Sequence, residues 1–336
     1  MRSLAFALIL STSALADEHW PQWRGPSLNG TSSSKALPEK WSETENVKWK
    51  VKLPSWSGAT PVIWGDRVFV PSASELGKGG EAQLVKRMGG DRIKEGKDLI
   101  LLCLSKKDGA ELWRHEIPGA NYQIGKQNMS SPSPVTDGEH VWWLTGTGAI
   151  TAFTMDGKVA WQADLQKSYG KFGLNWGYGA SPLLHEGLLI VPVLHGMTTD
   201  DPSYVVAYEA KTGKVAWKVE RPTDAKNEGP DAYTTPMPRK VGDRVEIVIV
   251  GGDYFTGHDP KTGKELWRAG GLNPTQDGFY RAVCSPAIVG DMVFASIKKG
   301  PLVAVKGDKV AWTSPFACDV PTPVSDGKLL YVLNVS

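Results

Sequence analysis

Short apolar runs separated by tight-turn signals recur along the chain, and residues 131–165 show the arrangement most clearly. Within that stretch, apolar and small residues form four runs, at 135–136, 141–144, 150–154 and 158–161. Asp137-Gly138 and Asp156-Gly157 stand between runs, and Gly accepts the positive φ that tight hairpins require. The pattern therefore predicts four short antiparallel strands in succession, with Trp161 in the last of them.

Three markers of this stretch repeat in the same order along the chain. The first is a Pro after a small residue, at Thr60-Pro61, Ser133-Pro134, Ser181-Pro182, Thr235-Pro236, Ser285-Pro286 and Thr322-Pro323. The second is a Gly-containing turn, at Gly65-Asp66, Asp137-Gly138, Glu186-Gly187, Gly242-Asp243, Gly290-Asp291 and Asp326-Gly327. The third is a closing Trp, at Trp113, Trp161, Trp217, Trp267 and Trp312. Successive closing Trp residues lie 48, 56, 50 and 45 positions apart, which is typical of propeller blades. We therefore predict an all-β β-propeller of four-stranded antiparallel blades, five complete and a sixth partial.

The two ends of the repeat array leave the total blade number open. Residues 47–53 alternate apolar and polar side chains, which predicts a strand with Trp49 facing inward. Residues 322–336 contain only the first two strands of a sixth blade. Either these two segments close a six-bladed ring together, or the chain is a fragment of a seven- or eight-bladed protein. We favour the fragment, so the complete protein is expected to have six to eight blades.

Outside the repeats, three segments have distinct compositions. Residues 1–16 combine an early Arg, a short apolar run and an Ala-Leu-Ala end, which predicts a cleaved signal peptide and an exported, periplasmic or extracellular protein. Residues 17–45 are polar, with Pro, Gly and Ser clusters, and are predicted to form an extended arm before a propeller at 46–336. The insertion at 75–98 is charged and glycine-rich, typical of a mobile surface loop, with a partner-binding flap as the alternative. No later run approaches the ~20 apolar residues of a membrane span, so none is expected.

Overall composition limits the function classes. The formal net charge is only +2, so the chain lacks the basic field expected for nucleic-acid binding. The six His residues are scattered without metal-ligand spacing, so no metal site is predicted. The three Cys residues allow one disulfide in an oxidising compartment, but the sequence does not choose the pair. Cys103 stands in an apolar run, which favours a buried thiol.

The closing segments carry a resemblance to a known superfamily. Residues 207–217 (AYEAKTGKVAW) and 257–267 (GHDPKTGKELW) resemble the tryptophan-docking repeat A-x-D-x-x-T-G-K-x-x-W of the quinoprotein (PQQ-dependent) dehydrogenases. The start at 20–26 (WPQWRGP) with 46–50 (NVKWK) looks like exported PQQ-binding-like β-propeller repeat proteins. In arrangement the chain is also similar to the outer-membrane assembly scaffold BamB. The resemblance implies that the closing Trp faces stack on the neighbouring blade.

The same resemblance raises the question of a cofactor. Dehydrogenases of this superfamily hold PQQ between a vicinal Cys pair and a Trp, with a calcium ion beside it. No two Cys residues are adjacent here, so PQQ with calcium has no support from such a pair. We therefore assign the evenly distributed Trp residues to blade packing. They are Trp49, Trp113, Trp161, Trp217, Trp267 and Trp312. The pair Trp142-Trp143 has no counterpart in the other repeats and is kept as a candidate stacking site.

Candidate binding residues lie in the loops between a closing Trp and the next Pro. These mouth loops, at 121–131, 169–180, 227–235 and 273–284, are aromatic and polar, and they ring one end of a propeller channel. Stacking and hydrogen bonding by their side chains suit a flat ligand or a peptide, and the alternative is that they plug the channel. The candidates are Tyr122, Asn128, Trp176, Tyr178, Tyr233, Tyr280 and Arg281.

Together these features predict a non-catalytic binding or scaffolding module. The expected partner is another envelope protein or a small ligand at the channel mouth. The alternative from another class is a PQQ-dependent dehydrogenase of alcohols or sugars, and a third reading is a carbohydrate- or polymer-binding propeller.

Overall fold

Five four-stranded antiparallel sheets follow one another along the chain, as the repeat predicts. The computed structural model describes residues 19–34, 37–74, 93–95, 97–124 and 127–334. At 93–95 and 123–124 it describes the backbone. The predicted signal peptide at 1–16 and most of the insertion at 75–98 lie outside these residues. The predicted fold class, an all-β propeller of four-stranded blades, is confirmed.

The first two blades, units 1 and 2, flank a small extra sheet. Unit 1 contains β1 (Val62–Trp64), β2 (Arg67–Ala73), β4 (Leu99–Ser105) and β5 (Glu111–Ile117). The extra three-stranded sheet contains β3 (Ile93–Glu95), β6 (Tyr122–Ile124) and β7 (Gln127–Asn128). Unit 2 contains β8 (Val135–Thr136), β9 (His140–Leu144), β10 (Ala149–Thr154) and β11 (Val159–Asp164). Strand β3 lies within the insertion that the sequence predicts as a loop. It is a strand because its backbone pairs with β6.

Units 3 to 5 repeat the same order, followed by a two-stranded piece. Unit 3 contains β12 (Leu183–His185), β13 (Leu188–Val193), β14 (Tyr204–Glu209) and β15 (Val215–Glu220). Unit 4 contains β16 (Met237–Val241), β17 (Arg244–Gly251), β18 (Tyr254–His258) and β19 (Glu265–Ala269). Unit 5 contains β20 (Ala287–Val289), β21 (Met292–Ala295), β22 (Leu302–Lys306) and β23 (Lys309–Ser314). The sixth piece contains β24 (Val324–Ser325) and β25 (Leu330–Tyr331).

Helical structure is confined to one short element among the described residues, α1 (Leu165–Tyr169), which follows unit 2. The Asp164 side chain caps it by accepting the Lys167 N–H. Within the described ranges, no helix has the length and apolar character needed to cross a bilayer.

Each closing Trp faces a small residue across the last strand pair. Trp113 pairs with Cys103, and the same register sets Trp161 opposite Ala152. The remaining pairs are Trp217 with Ala207, Trp267 with Gly257 and Trp312 with Ala304. In every unit a β-bulge follows this pair directly. The small partner leaves room for the indole, and the bulge increases the local twist of the strand.

Most of these indoles dock on the next unit. The Trp161 N–H donates to Ala210 O at 2.7 Å, and a Cβ added at Gly213 would lie 2.6 Å from the indole ring. Gly213 has a φ of 72°, a backbone conformation that glycine adopts without strain. Its lack of a side chain also lets the Trp161 ring lie directly on its backbone. The equivalent bonds are Trp49 to Lys106 O, Trp113 to Met155 O and Trp217 to Pro260 O.

Two closing Trp residues do not dock in this way. The Trp267 N–H donates to Glu246 Oε2 instead, and nothing lies within 4 Å of a Cβ added at the next turn glycine, Gly307. Trp312 is 45% exposed and contacts Phe294 of its own unit. The expectation that every closing Trp stacks on a neighbouring blade is therefore wrong at Trp267. For Trp312 it stays a prediction, because the described residues contain no turn between a third and a fourth strand of the sixth repeat.

The strand predicted at 47–53 is absent. This segment is irregular and mostly exposed, because no neighbouring strand among the described residues pairs with its backbone. Trp49 is half-buried and rests on Gly109, where a Cβ would lie 2.8 Å from its ring. Its indole thus makes the docking contact without the strand.

Trp142 and Trp143 belong to the core. Both are fully buried. The Trp142 N–H donates to Ala210 O, the same carbonyl that accepts from Trp161. A fully buried pair has no face to offer, so the stacking site suggested for it is wrong.

Candidate functional site

The residues before the six repeated Pro residues form an open series of hydrogen bonds around the channel axis, here named the hydroxyl ring. The backbone N–H of each of the first five donates to the side-chain hydroxyl of the equivalent residue in the next repeat, and the described residues show no bond from Thr322 back to Thr60. The bonds run from Thr60 to Ser133 (2.9 Å), Ser133 to Ser181 (3.0 Å), Ser181 to Thr235 (3.1 Å), Thr235 to Ser285 (2.9 Å) and Ser285 to Thr322 (3.1 Å). Because Pro fixes the start of each inner strand, this hydroxyl ring ties all six repeats together at their centre.

The hydroxyl ring surrounds an axial cavity of about 230 Å³. Its lining consists of Trp23, Trp56, Gly58, Gln127, Ser131, Ser133, Gly179, Ser181, Tyr233, Thr235, Val283, Ser285, Val320 and Thr322. No charged side chain is among these described lining residues. Five ring hydroxyl oxygens each accept one backbone N–H, and within the described ranges no acceptor is found for their hydrogens. A hydroxyl also donates, so the ring offers O–H donors to an oxygen-bearing group in the cavity.

The N-terminal segment 20–31 runs along the inner strands on the same axis. Its contacts are backbone pairing of Trp20 with Ile63, the Thr136 N–H to Pro21 O (2.8 Å), the Leu184 N–H to Gln22 Oε1 (3.3 Å) and Arg24 Nη2 to Pro323 O (2.8 Å). It follows a series of turns from Gln22 to Gly30 rather than an extended path, with Arg24 and Leu28 buried. Trp23 from this segment joins the cavity lining.

A cluster of three side chains lies where three mouth loops meet, at 169–180, 227–235 and 273–284. The Trp176 N–H donates to Glu228 Oε1 at 2.6 Å, and Arg281 Nη1 lies 3.3 Å from the same oxygen. The Arg281 guanidinium also stacks over the Trp176 ring at 5.4 Å. Glu228 is only 5% exposed, and a buried carboxylate is costly unless its charge is compensated. The Trp176 indole and the Arg281 guanidinium provide that compensation. These contacts connect the three mouth loops to one another.

Asp231 organises the backbone beneath this cluster. Its carboxylate accepts the N–H groups of Asn175 at 2.7 Å, Gly196 at 3.0 Å and Met197 at 3.1 Å. Burial nevertheless raises the pKa of Asp231 to about 7, with the charge of Glu228 adding to the rise. A fully buried carboxyl that joins three segments is a structural anchor for the mouth.

The structure brings together three of the seven predicted site residues and separates the others. Trp176, Tyr233 and Arg281 lie together, because the Trp176 backbone N–H donates to the Tyr233 hydroxyl at 3.2 Å. Tyr233 also lines the cavity. Asn128 is not part of this cluster; its side chain donates to Trp56 O at 2.8 Å.

The remaining predicted site residues pack into the blades. The Tyr178 hydroxyl donates to Pro192 O at 2.8 Å, and the residue is 1% exposed. Tyr122 packs on the core shared by units 1 and 2, and Tyr280 packs on the core shared by units 3, 4 and 5. Within the loop cluster, sequence reasoning missed Glu228 and Asp231. The sequence signal for these two residues was the presence of two acidic residues within one mouth loop. The signal for the hydroxyl ring was the Ser or Thr that precedes each of the six repeated Pro residues.

The described cavity does not fit PQQ. PQQ is an anionic quinone, and binding it requires cations or a bound metal near its carboxylates. The described lining offers hydroxyls, aromatic rings and an amide but neither a Lys nor an Arg. The three thiols are buried, and none of them lines the cavity.

One group of possible metal ligands lies on unit 2, with Glu139 exposed and Asp137 and His140 half-buried. Potential ligand atoms of Asp137, Glu139 and His140 lie within 4.8 Å of one another. Asp137 already accepts two turn N–H groups, and Glu139 pairs with Lys211 at 2.7 Å. These contacts account for the group as a turn and a surface ion pair, so it gives no reason to assign a metal.

Comparisons with known proteins agree with this architecture. Quinohemoprotein alcohol dehydrogenase ADH-IIG from Pseudomonas putida is 33% identical over 125 residues, which cover 34% of this chain and 15% of that enzyme. Its structure from strain HK5 matches with a TM-score of 0.57 at 13% identity, over 88% of this chain and 48% of the enzyme. The quinohemoprotein alcohol dehydrogenase from Comamonas testosteroni matches with a TM-score of 0.60 at 15% identity, over 91% and 50%. The chain thus spans about half the length of these solved enzymes, and the likeness shows the fold.

BamB from Moraxella catarrhalis also matches, with a TM-score of 0.43 at 18% identity, over 66% of this chain and 57% of that protein. A family model described as "Outer membrane protein assembly factor BamB" matches residues 97–335, well over half of the 336 residues. The predicted resemblance to the PQQ-like repeat proteins is therefore confirmed. The chain belongs to the PQQ-like β-propeller family that carries this description.

Proposed function

We propose that this protein is an exported, non-catalytic binding module whose axial cavity receives an uncharged, oxygen-bearing segment of an envelope protein partner. The observation that carries the proposal is the hydroxyl ring. It presents several O–H donors in a cavity whose described lining has no charge, next to the exposed indole of Trp56. Backbone carbonyls of an extended peptide accept such donors, and an indole packs on its side chains.

The mouth cluster supports the same proposal. Trp176, Glu228 and Arg281 satisfy one another, so none is left to act on a substrate as a free acid or base. A preformed mouth reduces the entropy that is lost on binding, which suits recognition. The family description names a membrane protein assembly factor, which favours a protein partner over a small metabolite.

The test uses a photo-crosslinking residue at Trp56, on the cavity lining, and at Trp41 as a control. Both side chains are exposed, at 45% and 71%, but only Trp56 lines the cavity. In envelope extract, we expect one defined protein to crosslink at position 56 and not at 41. Ser181→Ala combined with Thr235→Val is expected to reduce that yield at least several-fold. Equal crosslinking at both positions would overturn the proposal.

A PQQ-dependent dehydrogenase is the second candidate, favoured by the identity with ADH-IIG over 125 residues. The test is to incubate the folded chain with PQQ and calcium, then follow absorbance and dye reduction with a panel of alcohols and sugars. We expect neither saturable binding nor turnover, because the described cavity has no cation for the quinone carboxylates. Saturable binding with turnover would replace the scaffold proposal with the enzyme.

Export is proposed from residues 1–16 and is tested separately. Expressed with its own N-terminus, the protein is expected outside the cytoplasm with Asp17 as its first residue. A protein that stays in the cytoplasm with Met1 retained would contradict this.

A further inference from the structure

Two of the three cysteines face each other at the junction of unit 5 and the sixth repeat. Cys284 ends a mouth loop directly before the ring residue Ser285, and Cys318 lies between β23 and β24. Their Sγ atoms are 3.4 Å apart, and both residues are fully buried. A disulfide needs about 2.05 Å between its sulfurs, so the two Sγ atoms must approach each other further to form a bond.

The backbone holds both residues in place without any bond between the sulfurs. The Cys318 N–H donates to Ser296 Oγ at 2.9 Å, and the same hydroxyl donates to Cys318 O at 2.7 Å. Next to Cys284, the Ser285 N–H donates to Thr322 in the hydroxyl ring at 3.1 Å. The two thiols are therefore brought together by the fold itself, which is the geometric condition for a native disulfide.

We propose that Cys284 and Cys318 are the disulfide pair of this protein and that Cys103 is its free thiol. The oxidant is a disulfide-bearing molecule or protein. The Cys318 thiolate attacks one sulfur of that disulfide, forming a mixed disulfide and releasing one thiol. The Cys284 thiol then loses its proton and attacks the Cys318 sulfur, releasing the second thiol. Two cysteine thiols and one external disulfide thus give one protein disulfide and two external thiols.

The surroundings of the sulfurs suit these roles. The hydrogen bond from Cys284 lowers the pKa of the Cys318 thiol, and Ser296 adds to this effect. As the donor of that bond, Cys284 has its pKa raised, and burial raises it further. Cys103 has its pKa raised to about 12 by burial. Phe316 and Val320, on either side of Cys318, are exposed and outside any strand, so local opening of this segment exposes the sulfur.

The bond would close a loop of residues 284–318, which contains all of unit 5. Crosslinking such a loop restricts the unfolded chain and raises stability. It would also join the mouth loop before unit 5 to the segment that leads into the sixth repeat. We expect reduction to lower Tm by about 5–10 °C, from the loop length and the size of the protein.

The test is to refold the full chain with glutathione disulfide, alkylate the remaining thiols and digest with trypsin. The tryptic peptides 282–298 and 310–328 each contain one of the two cysteines. We expect them to be recovered joined, with Cys103 alone alkylated. Alkylation of all three cysteines, or a bond to Cys103, would overturn the proposal.

A second measurement does not depend on the peptides. A reductant is expected to lower Tm in the wild type and in Cys103→Ser, but not in Cys318→Ser. Cys103→Ser is the matched control because it removes a buried thiol of unit 1 and leaves the pair intact. An equal response of Cys318→Ser and Cys103→Ser to the reductant would contradict the assignment.

Discussion

Two junctions between neighbouring units are joined by different side chains. They are the junction of units 2 and 3 and the junction of units 4 and 5. At the first, the Trp161 indole lies on Gly213 and donates to Ala210 O at 2.7 Å. At the second, the Trp267 indole turns inward and donates to Glu246 at 2.9 Å. Arg239 of unit 4 crosses the junction instead and donates to Gly307 O of unit 5 at 2.7 Å.

The difference shows that the turn carbonyl is the shared requirement. Both junctions supply a donor to the carbonyl of the turn between the third and fourth strands of the following unit. At the second junction, the Arg239 and Glu246 side chains are 1% and 0% exposed. Arg239 Nε and Nη2 both donate to Glu246 Oε1, and the guanidinium lies over the Trp267 ring at 4.6 Å. Gly257 makes the inward turn of the indole possible, because a Cβ there would collide with Trp267. A buried ion pair thus takes the place of a docked indole.

The first prediction breaks the junction between units 4 and 5. Glu246→Leu is expected to destabilise the protein by about 3–5 kcal/mol, because it leaves the buried Arg239 guanidinium without a counter-charge. The measurement is the free energy of unfolding in urea.

The control for this prediction is the double variant Arg239→Met with Glu246→Leu, which removes both charges and keeps apolar volume. It is expected to recover much of the loss, since a matched apolar pair replaces the ion pair. If the double variant is as unstable as Glu246→Leu alone, the loss comes from another contact of Glu246, such as the bond from Trp267.

The second prediction compares the turn glycines of the two junctions. Gly213→Ala is expected to cost about 2–4 kcal/mol, because φ is 72° and the new methyl group meets the Trp161 ring. Gly307→Ala is the matched control, with φ of 62° and open space around it, and is expected to cost only about 1 kcal/mol. Equal losses in urea unfolding would show that the docked ring contributes nothing at Gly213.

Local patterns in the sequence were sufficient for the blades. The strands at 135–136, 141–144, 150–154 and 158–161 match those of unit 2 closely, because turn glycines and alternating side chains act over a few residues. The alternating segment 47–53 shows the limit of this reasoning. A strand needs a hydrogen-bonding neighbour, and alternation does not show whether one exists.

Contacts across junctions were beyond the sequence. Trp217 and Trp267 end nearly identical motifs, yet only the first docks on the next unit, because Arg239 and Glu246 take over at the second. In the sequence, Arg239 and Glu246 look like ordinary charged residues of two strands. The candidate site shows the same limit. Tyr178 and Trp176 stand in the same mouth loop, and both were predicted as binding residues. The fold buries Tyr178 in the core and leaves Trp176 at the mouth.

The third prediction concerns the hydroxyl ring, which crosses both kinds of junction unchanged. Thr235→Val removes the acceptor of the Ser181 N–H, and Ser285→Ala removes the acceptor of the Thr235 N–H. Each is expected to cost about 1–3 kcal/mol, since a buried N–H loses its partner. Similar losses in urea unfolding would show that the ring acts independently of the docking chemistry. A loss in only one variant would mean that the ring is coupled to the junction it crosses.

The fourth prediction separates two docked indoles that look alike. Trp217→Phe leaves Pro260 O without its donor, and Trp161→Phe leaves Ala210 O with the donor from Trp142 at 2.8 Å. Both variants lose similar ring area, so Trp217→Phe is expected to cost about 1 kcal/mol more, the value of one buried carbonyl left unsatisfied. The measurement is the difference in unfolding free energy between the two variants. The control repeats Trp161→Phe in a Trp142→Phe background, where no second donor remains, so that the added cost of Trp161→Phe is expected to rise to that of Trp217→Phe. If the two single variants are equal, the carbonyl is satisfied by water and the indole N–H contributes only its ring contact.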